Sequence, residues 1–487
     1  MRLVFFIIYC FVISFLVLFG LYRSYILFLY FKCKNKKISP LSYFDRLPYV
    51  TVQLPIYNEY YVVERLIDYT AALDYPADKL EIQVLDDSDD NTVDLVAQIV
   101  ADKQAKGIDI KHIRRPDREG YKAGALKYGM GQAKGEFIAI FDADFLPTKD
   151  FLMRTIHYFT DSQVGLVQSR WGHLNKDYSL LTRVQALLLD DHFVFYHTAR
   201  SRSGLFFNFN GTGGIWRRKA IESAGNWQGD TLTEDLDLSY RAQLKGWKFC
   251  FVPDLVTPAE LPVEMLSFKS QQHRWAKGAI QNAKKLLPLI WASKYPLRIK
   301  LDASFHLVIN FAYLMTFVLL IILYPLLRLQ VNFTMFNMQF FELPVFFIVT
   351  CSFWIHFFIL YRETQRSISL RVLSDIFFIS SIIMGLTLNN VKACLEGMAK
   401  KAGIFYRTPK FNVVVKADQW KQKKYIGEKN ILPVLEIAFG LYFGLIAVWA
   451  FEHSYYFSIF FYFNFLFGFM YVGFLSLFQR KLKYTQA

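Results

Sequence analysis

Uncharged apolar stretches lie towards both ends of this 487-residue chain and leave its middle clear, and that distribution constrains the fold more than any other feature. Residues 3–22 carry no charged side chain, enough helix to cross a hydrocarbon core of about 30 Å. Lys32, Lys34, Lys36 and Lys37 follow, with no small-residue cleavage site, so the segment reads as a membrane anchor and not as a signal peptide. The positive-inside tendency places that lysine cluster in the cytoplasm. Further stretches at 303–327, 343–361, 372–391, 431–451 and 455–478 are uncharged or nearly so. If 303–327 leaves the cytoplasm and 343–361 returns, a full crossing at 372–391 would put the basic stretch 392–424 outside, against the same tendency. Residues 372–400, which include Asp375, Asn389, Asn390 and Lys392, are therefore expected to form an interfacial or re-entrant helix.

The expected order is an N-terminal transmembrane helix at 1–31, a cytoplasmic block at 45–262, and an amphipathic interfacial segment at 263–302. Two transmembrane helices follow within 303–361, then the interfacial or re-entrant helix at 372–400 and a cytoplasmic segment at 401–430. Two more transmembrane helices at 431–478 and a cytoplasmic tail at 479–487 complete it. A 54% hydrophobic composition excludes a disordered chain. Five scattered cysteines (Cys10, Cys33, Cys250, Cys351 and Cys394) suggest neither a disulfide framework nor a zinc site. The chain has 56 Lys plus Arg against 41 Asp plus Glu. That excess collects in the expected cytoplasmic loops, so it speaks for a lipid bilayer as partner and not for nucleic acid. No Walker-type phosphate loop is present.

The middle block reads as α/β. An apolar run at 50–55, an alternating run at 80–85, residues 108–113 and an apolar run at 136–141 are interspersed with helical stretches at about 61–73 and 121–133 and a polar helix after the second run, which implies a mostly parallel sheet. Ligands in such sheets sit beyond the carboxyl ends of the strands. Two acidic clusters fall there: Asp86-Asp87-Ser88-Asp89-Asp90 after the second run and Asp142-Ala143-Asp144 after the fourth. One Asp-x-Asp is common in loops, but paired carboxylates at a strand end suit a hard divalent cation bridging to a diphosphate. Arg114, Arg115, Arg118 and Lys122 surround the start of a Gly-containing helix, an arrangement suited to phosphate.

Further elements complete a pattern: Leu54-Pro55-Ile56-Tyr57-Asn58-Glu59, Thr233-Glu234-Asp235, and Gln271-Gln272-His273-Arg274-Trp275 just before the apolar C-terminal half. Together, Asp-Asp, Asp-x-Asp, Thr-Glu-Asp and Gln-x-x-Arg-Trp resemble the processive family 2 glycosyltransferases over nearly the whole chain. Within that family, Val167-Gln168-Ser169-Arg170-Trp171, Phe209-Asn210-Gly211-Thr212-Gly213-Gly214-Ile215-Trp216-Arg217 and residues 232–238 are most similar to the cellulose-synthase-like mannan and glucomannan synthases and their bacterial relatives. Phe405-Tyr406-Arg407-Thr408-Pro409-Lys410 resembles the gating loop of cellulose synthases, with Arg407 where an apolar residue is usual.

The resemblance implies an α/β GT-A catalytic domain with a helical transmembrane bundle, acting as an inverting transferase. It adds a hexose from GDP-mannose or UDP-glucose to a growing β-linked polysaccharide, coupled to export and open to export partner subunits. It implies Asp235 as general base with Glu234 and Thr233 beside it. Pro55, Asn58, Glu59, Asp86, Asp87, Arg118, Lys122, Asp142, Gln271 and Arg274 would hold the nucleotide-diphosphate sugar. Asp142 and Asp144 would hold Mg²⁺ or Mn²⁺. Gln168, Trp171, Asn210, Gly211, Thr212, Trp216 and Trp275 would meet the acceptor, and Phe405, Thr408 and Lys410 would form the gating loop. A single-addition transferase acting on a lipid-linked acceptor is the alternative. A transporter with a degenerate sugar-binding domain is disfavoured, because Asp87, Asp142, Asp144 and Asp235 are all present. His273 is expected to pack or hydrogen-bond, with no part in chemistry.

Overall fold

A computed structural model describes residues 2–328, 347–365, 371–399, 407–424, 431–454 and 456–479. Four strands arise from the short runs of the middle block: β1 (Val50–Ile56), β2 (Leu80–Asp86), β3 (Ile110–Ile113) and β4 (Phe137–Ile140). The helices Val63–Ala71, Thr92–Ala105 and Tyr121–Gln132 connect them. Helices cover both faces of these strands. Val50, Val52, Ile82 and Val84 are buried on one face, while Thr51, Gln53, Glu81 and Gln83 are buried on the other. There the Thr51 hydroxyl donates to Glu81 at 2.8 Å, and all four strands pair in parallel. The third strand begins at Ile110, two residues into the 108–113 stretch.

Three more strands, β5 (Val164–His173), β6 (Gly214–Arg217) and β7 (Lys248–Ala259), extend the sheet to seven in the order β3-β2-β1-β4-β6-β5-β7. Only β6 runs against its neighbours, antiparallel to both β4 and β5, so the sheet is mixed. The chain winds outward from β1 to β3 and then returns to β4 on the other side of β1. A crevice opens where that direction reverses. The segments leaving β1, β2 and β4, with their polar residues, converge on it.

The helix Met265–Ala292 links this block to the apolar helices. Among the described residues, three helices are long and apolar enough to cross a bilayer: Leu3–Cys33, Leu432–Glu452 and Ser458–Phe478. There are up to five if each of two bent pairs counts as one span. One pair, Leu297–Val308 and Phe311–Ile322, bends by 56°, inside the stretch expected to cross at 303–327. The other, Arg371–Gly385 and Thr387–Met398, bends by 45°, in the stretch expected to be interfacial or re-entrant. Of the expected span at 343–361, residues 347–361 lie among those described, mostly in the helix Ser352–Gln365. Glycines allow the closest helix crossing. A Cβ on Gly385 would lie 2.3 Å from the carbonyl oxygen of Gly468, and one on Gly468 would lie 2.0 Å from that of Ser381. The aromatic residues of the helix Tyr456–Phe478 divide between packing, as where Phe467 meets Phe377 and Phe378, and the exposed surface, where Tyr456, Phe463 and Phe474 lie.

Candidate active site

The crevice holds a cavity of about 180 Å³, and most of the residues singled out in the sequence line it. Pro55 and Glu59 come from the end of β1, Asp87 from β2, and Asp142 and Asp144 from β4. Arg118 and Lys122 approach from the start of the Tyr121–Gln132 helix. Trp171, Asn210 and Gly211 form one wall, and Thr233, Glu234 and Asp235 open the helix Glu234–Leu244. Gln271, Arg274 and Trp275 reach in from the Met265–Ala292 helix, and Thr408 and Lys410 arrive from the C-terminal half. Phe405 lies outside the described residues.

Five expected site residues do not line the cavity, and strand geometry explains why. Trp216 is fully buried, its ring edge-on to Phe209, Trp227 and Phe249. It belongs to the core, not to an acceptor site: adjacent side chains on a strand face opposite ways, and Ile215 takes the other face. Asp86 is likewise turned away from the donor site, bonded to the His112 ring at 2.8 Å and to the Ser88 amide at 2.9 Å. Gln168 is buried under the 210–213 loop, donating to the carbonyls of Thr212 (3.1 Å) and Gly213 (3.0 Å). Thr212 accepts the Asp142 amide on its hydroxyl at 2.8 Å. Asn58 ties two loops together through Ser88 and Asp89. These last three shape the site from behind.

The acidic turn after Thr233 faces inward because its helix is pinned from outside. Asn282 donates to the Thr233 carbonyl at 3.0 Å and to its hydroxyl at 2.9 Å. Gly278 lets the two helices touch: a Cβ there would lie 2.5 Å from the Thr233 hydroxyl. Glu234 and Asp235 occupy the first helical turn, where the macrodipole favours anions. Burial, with the neighbouring Glu234 charge, pushes the Asp235 carboxyl up to about 7. Gly211 (φ +85°) passes so close that a Cβ would lie 3.1 Å from Asp235 Oδ2. The Gly211 carbonyl accepts from the Lys122 ammonium at 2.9 Å, and the same ammonium pairs with Asp142. Asp144 is paired with Lys410 at 2.7 Å.

Three partnerships have no signature in the sequence. Arg115, expected near phosphate, instead grips Asp87 with two bonds of 2.8 and 2.6 Å. Arg407 pairs with Glu59 at 2.9 Å. Burial lifts that glutamate to about 7, with Arg407 opposing and Asp144 reinforcing the rise. Glu260, at the end of β7, lines the cavity and accepts the Phe411 amide at 2.8 Å. His273 lines neither cavity, and its Nε2 lies 3.3 Å from a carboxylate oxygen of Glu396, a polar contact.

A second cavity of about 390 Å³ adjoins the first and shares Trp171, Asn210, Asp235, Gln271 and Trp275 with it. It extends towards Ile309, Tyr313, Ile383 and Leu386 in the bent helix pairs. His192 on its wall is held by the Asn210 amide oxygen at 2.9 Å, and burial drops its ring to about 4, so it is neutral. Its wall combines aromatic rings such as Trp171, Phe193 and Trp275 with hydrogen-bonding groups such as Asn208, Asn210 and Gln271.

Comparison with known proteins agrees with this arrangement. Residues 48–278 match the family model "Glycosyltransferase like family 2". A probable glucomannan 4-beta-mannosyltransferase 11 of Oryza sativa is 45% identical over 252 residues, 51% of this chain and 44% of that protein. Probable glucomannan 4-beta-mannosyltransferase 15 of Arabidopsis thaliana is 39% identical over 321 residues, 63% of this chain and 59% of that one. The chain spans about half the length of the curated relatives it matches. A solved mannosyltransferase of Pyrobaculum calidifontis, in complex with GDP-Man and Mn²⁺, shares the fold at 20% identity and a TM-score of 0.53, covering 80% of this chain and 99% of that one. Residues 48–278 thus match a glycosyltransferase-like family 2 domain, and their mixed sheet is of the GT-A-like fold.

Proposed function

We propose that the protein transfers a mannosyl unit from GDP-mannose to a growing β-linked polysaccharide, with inversion at the anomeric carbon. The observation that carries this reading is Asp235 facing both the acidic turn Asp142–Asp144 in one cavity and the polar, aromatic-walled second cavity. Asp235 takes the acceptor hydroxyl's proton as that oxygen attacks. A carboxyl lifted by burial is a stronger base than an exposed one and needs only a small shift to be ionised at neutral pH. Trp275 and Trp171 line both cavities, where a tryptophan ring can stack on a sugar. Arg274 lies against the carboxylates at the cavity wall and presents a planar fork of donors to diphosphate oxygens.

The donor set of Asp142 and Asp144, two carboxylates at one strand end, suits Mg²⁺ or Mn²⁺, and the lysine ammoniums paired with them support reading the turn as a cation site. A divalent ion held there would neutralise the leaving diphosphate. The fold neighbour carries Mn²⁺ and GDP-Man, and the relatives are named as 4-beta-mannosyltransferases, which favours mannose over glucose. The second cavity's reach towards the bent helices supports a polymer acceptor led into the membrane over a single-addition lipid acceptor. With Lys32, Lys34, Lys36 and Lys37 in the cytoplasm, the 45–262 block faces the cytoplasm too.

The test supplies membranes containing the protein with GDP-mannose and UDP-glucose in separate reactions, then digests any polymer with linkage-specific glycanases. Polymer from GDP-mannose that β-mannanase degrades is expected. Product only from UDP-glucose, or one sugar on a lipid, would overturn the reading.

A further inference from the structure

Both carboxylates of the Asp142-Ala143-Asp144 turn carry a lysine, and the two lysines have different origins. Lys122 belongs to the same domain, on the first turn of the Tyr121–Gln132 helix. Lys410 comes from 266 residues downstream of Asp144, and its ion pair is largely out of water, with side chains 10% and 8% exposed. The Lys410 ammonium also donates to the Glu260 carbonyl, and the next residue's amide donates to the Glu260 carboxylate. Beyond it the segment is held independently. Phe411, Val413 and Trp420 form a small core with Val263, and Asn412 accepts from Arg65 at 2.6 Å. Lys410 therefore reaches Asp144 from a support that does not depend on the acidic turn.

We propose that Lys410 is the resident counter-cation of Asp144 and competes with the divalent metal for it, so that metal binding and the docked position of Lys410 exclude one another. This rests on the reading of Asp144 as a metal ligand. A metal bound to a carboxylate sits about 2.0–2.2 Å from its oxygen, inside the space that the ammonium holds at 2.7 Å. A dication and an ammonium sharing one desolvated carboxylate would also repel. Metal loading without a donor must therefore lift Lys410 away from both Asp144 and the Glu260 carbonyl, and the metal's affinity carries that cost. A donor diphosphate supplies new negative charge for the displaced ammonium, so metal and nucleotide bind with mutual reinforcement.

The test measures Mn²⁺ binding to the full chain in detergent, without nucleotide, from the loss of the free-ion electron paramagnetic resonance signal. Lys410→Met keeps the aliphatic stem, which protects folding, and should bind Mn²⁺ at least about tenfold more tightly than the unsubstituted chain. Lys410→Arg restores a cation and should return the affinity to its original weakness. Asp144→Asn should abolish binding in either background. If Lys410→Met and the parent bind alike while Asp144→Asn abolishes binding, the competition is wrong and the metal reading stands. If Asp142→Asn and Asp144→Asn both leave binding intact, the metal reading itself falls, and the competition with it.

Discussion

Lys269 and Glu436 form a buried ion pair at 2.6 Å, with side chains 2% and 0% exposed. Lys269 lies on the Met265–Ala292 helix, two residues before Gln271, and Glu436 on the apolar helix Leu432–Glu452. At an effective dielectric of about 20, the gross attraction at that distance is roughly 6 kcal/mol. Removing both charges from water costs several kcal/mol each, so the intact pair contributes little net stability. Breaking it is another matter, because the surviving charge has no water to turn to. Lys269→Met and Glu436→Leu should each destabilise the protein by about 3–5 kcal/mol. The double variant should recover most of that loss and stand within about 1–2 kcal/mol of the parent. Unfolding in mixed micelles, followed by tryptophan fluorescence, measures the cycle. If the two single losses simply add in the double variant, the charges are not coupled and the buried-pair argument is refuted.

Three further outcomes follow from the acidic turn at Thr233–Asp235. Asp235→Asn should lower the transfer rate by about 10²–10⁴-fold with donor affinity nearly unchanged. In the parent, the rate at saturating donor should rise about tenfold per pH unit up to near 7 and then level, because the ionised carboxylate is the active form and burial holds its pKa there; a flat profile from pH 5 to 8 would remove Asp235 as the base. Gly278→Ala places a methyl 2.5 Å from the Thr233 hydroxyl, so it should push that turn aside and cut the rate at least about tenfold while leaving donor binding intact, as read by nucleotide titration.

The sequence made the first half of the sheet legible because those strands are short apolar or alternating runs, two of them ended by acidic clusters. The cavity followed, since Asp87, Asp142 and Asp235 stand at the ends of elements whose order places them together. Face assignment was harder. Asp86 and Asp87 are adjacent in the sequence, and only the pleat decides that one meets His112 while the other lines the cavity. Trp216 failed for the same reason: a tryptophan beside a glycine-rich loop reads equally as a sugar platform or as core, and β6 turns it into the core. The pairings Arg407–Glu59 and Lys410–Asp144 join segments hundreds of residues apart, and no periodicity records such a contact. The bend between Val308 and Phe311 was also hidden, since hydropathy averages over a window and does not register a change of direction within it.

The Met265–Ala292 helix explains how a membrane bundle and a sugar-transfer site keep one register. At about 1.5 Å per residue its 28 residues span about 42 Å, long enough to answer to both. Its first turn is tied to the apolar helices: the Met265 amide donates to Gln479 at 2.7 Å, Lys269 pairs with Glu436, and the Lys269 carbonyl accepts from Asn389 at 3.0 Å. Its middle is tied to the catalytic turn, through Gly278 and Asn282 against Thr233. Gln271, Arg274 and Trp275 lie between those anchorages, and Gln271 and Trp275 border both cavities. A helix transmits displacement along its axis because its backbone hydrogen bonds leave it little axial freedom. Gln271, Arg274 and Trp275 are thereby held in register with Thr233 on one side and with the apolar helices on the other. The helix that Thr233 precedes shares its core with β4, where Leu238 and Ala242 pack with Ile138 and Ile140. The turns Thr233–Asp235 and Asp142–Asp144 therefore rest on one core, and the Met265–Ala292 helix ties that core to the apolar helices.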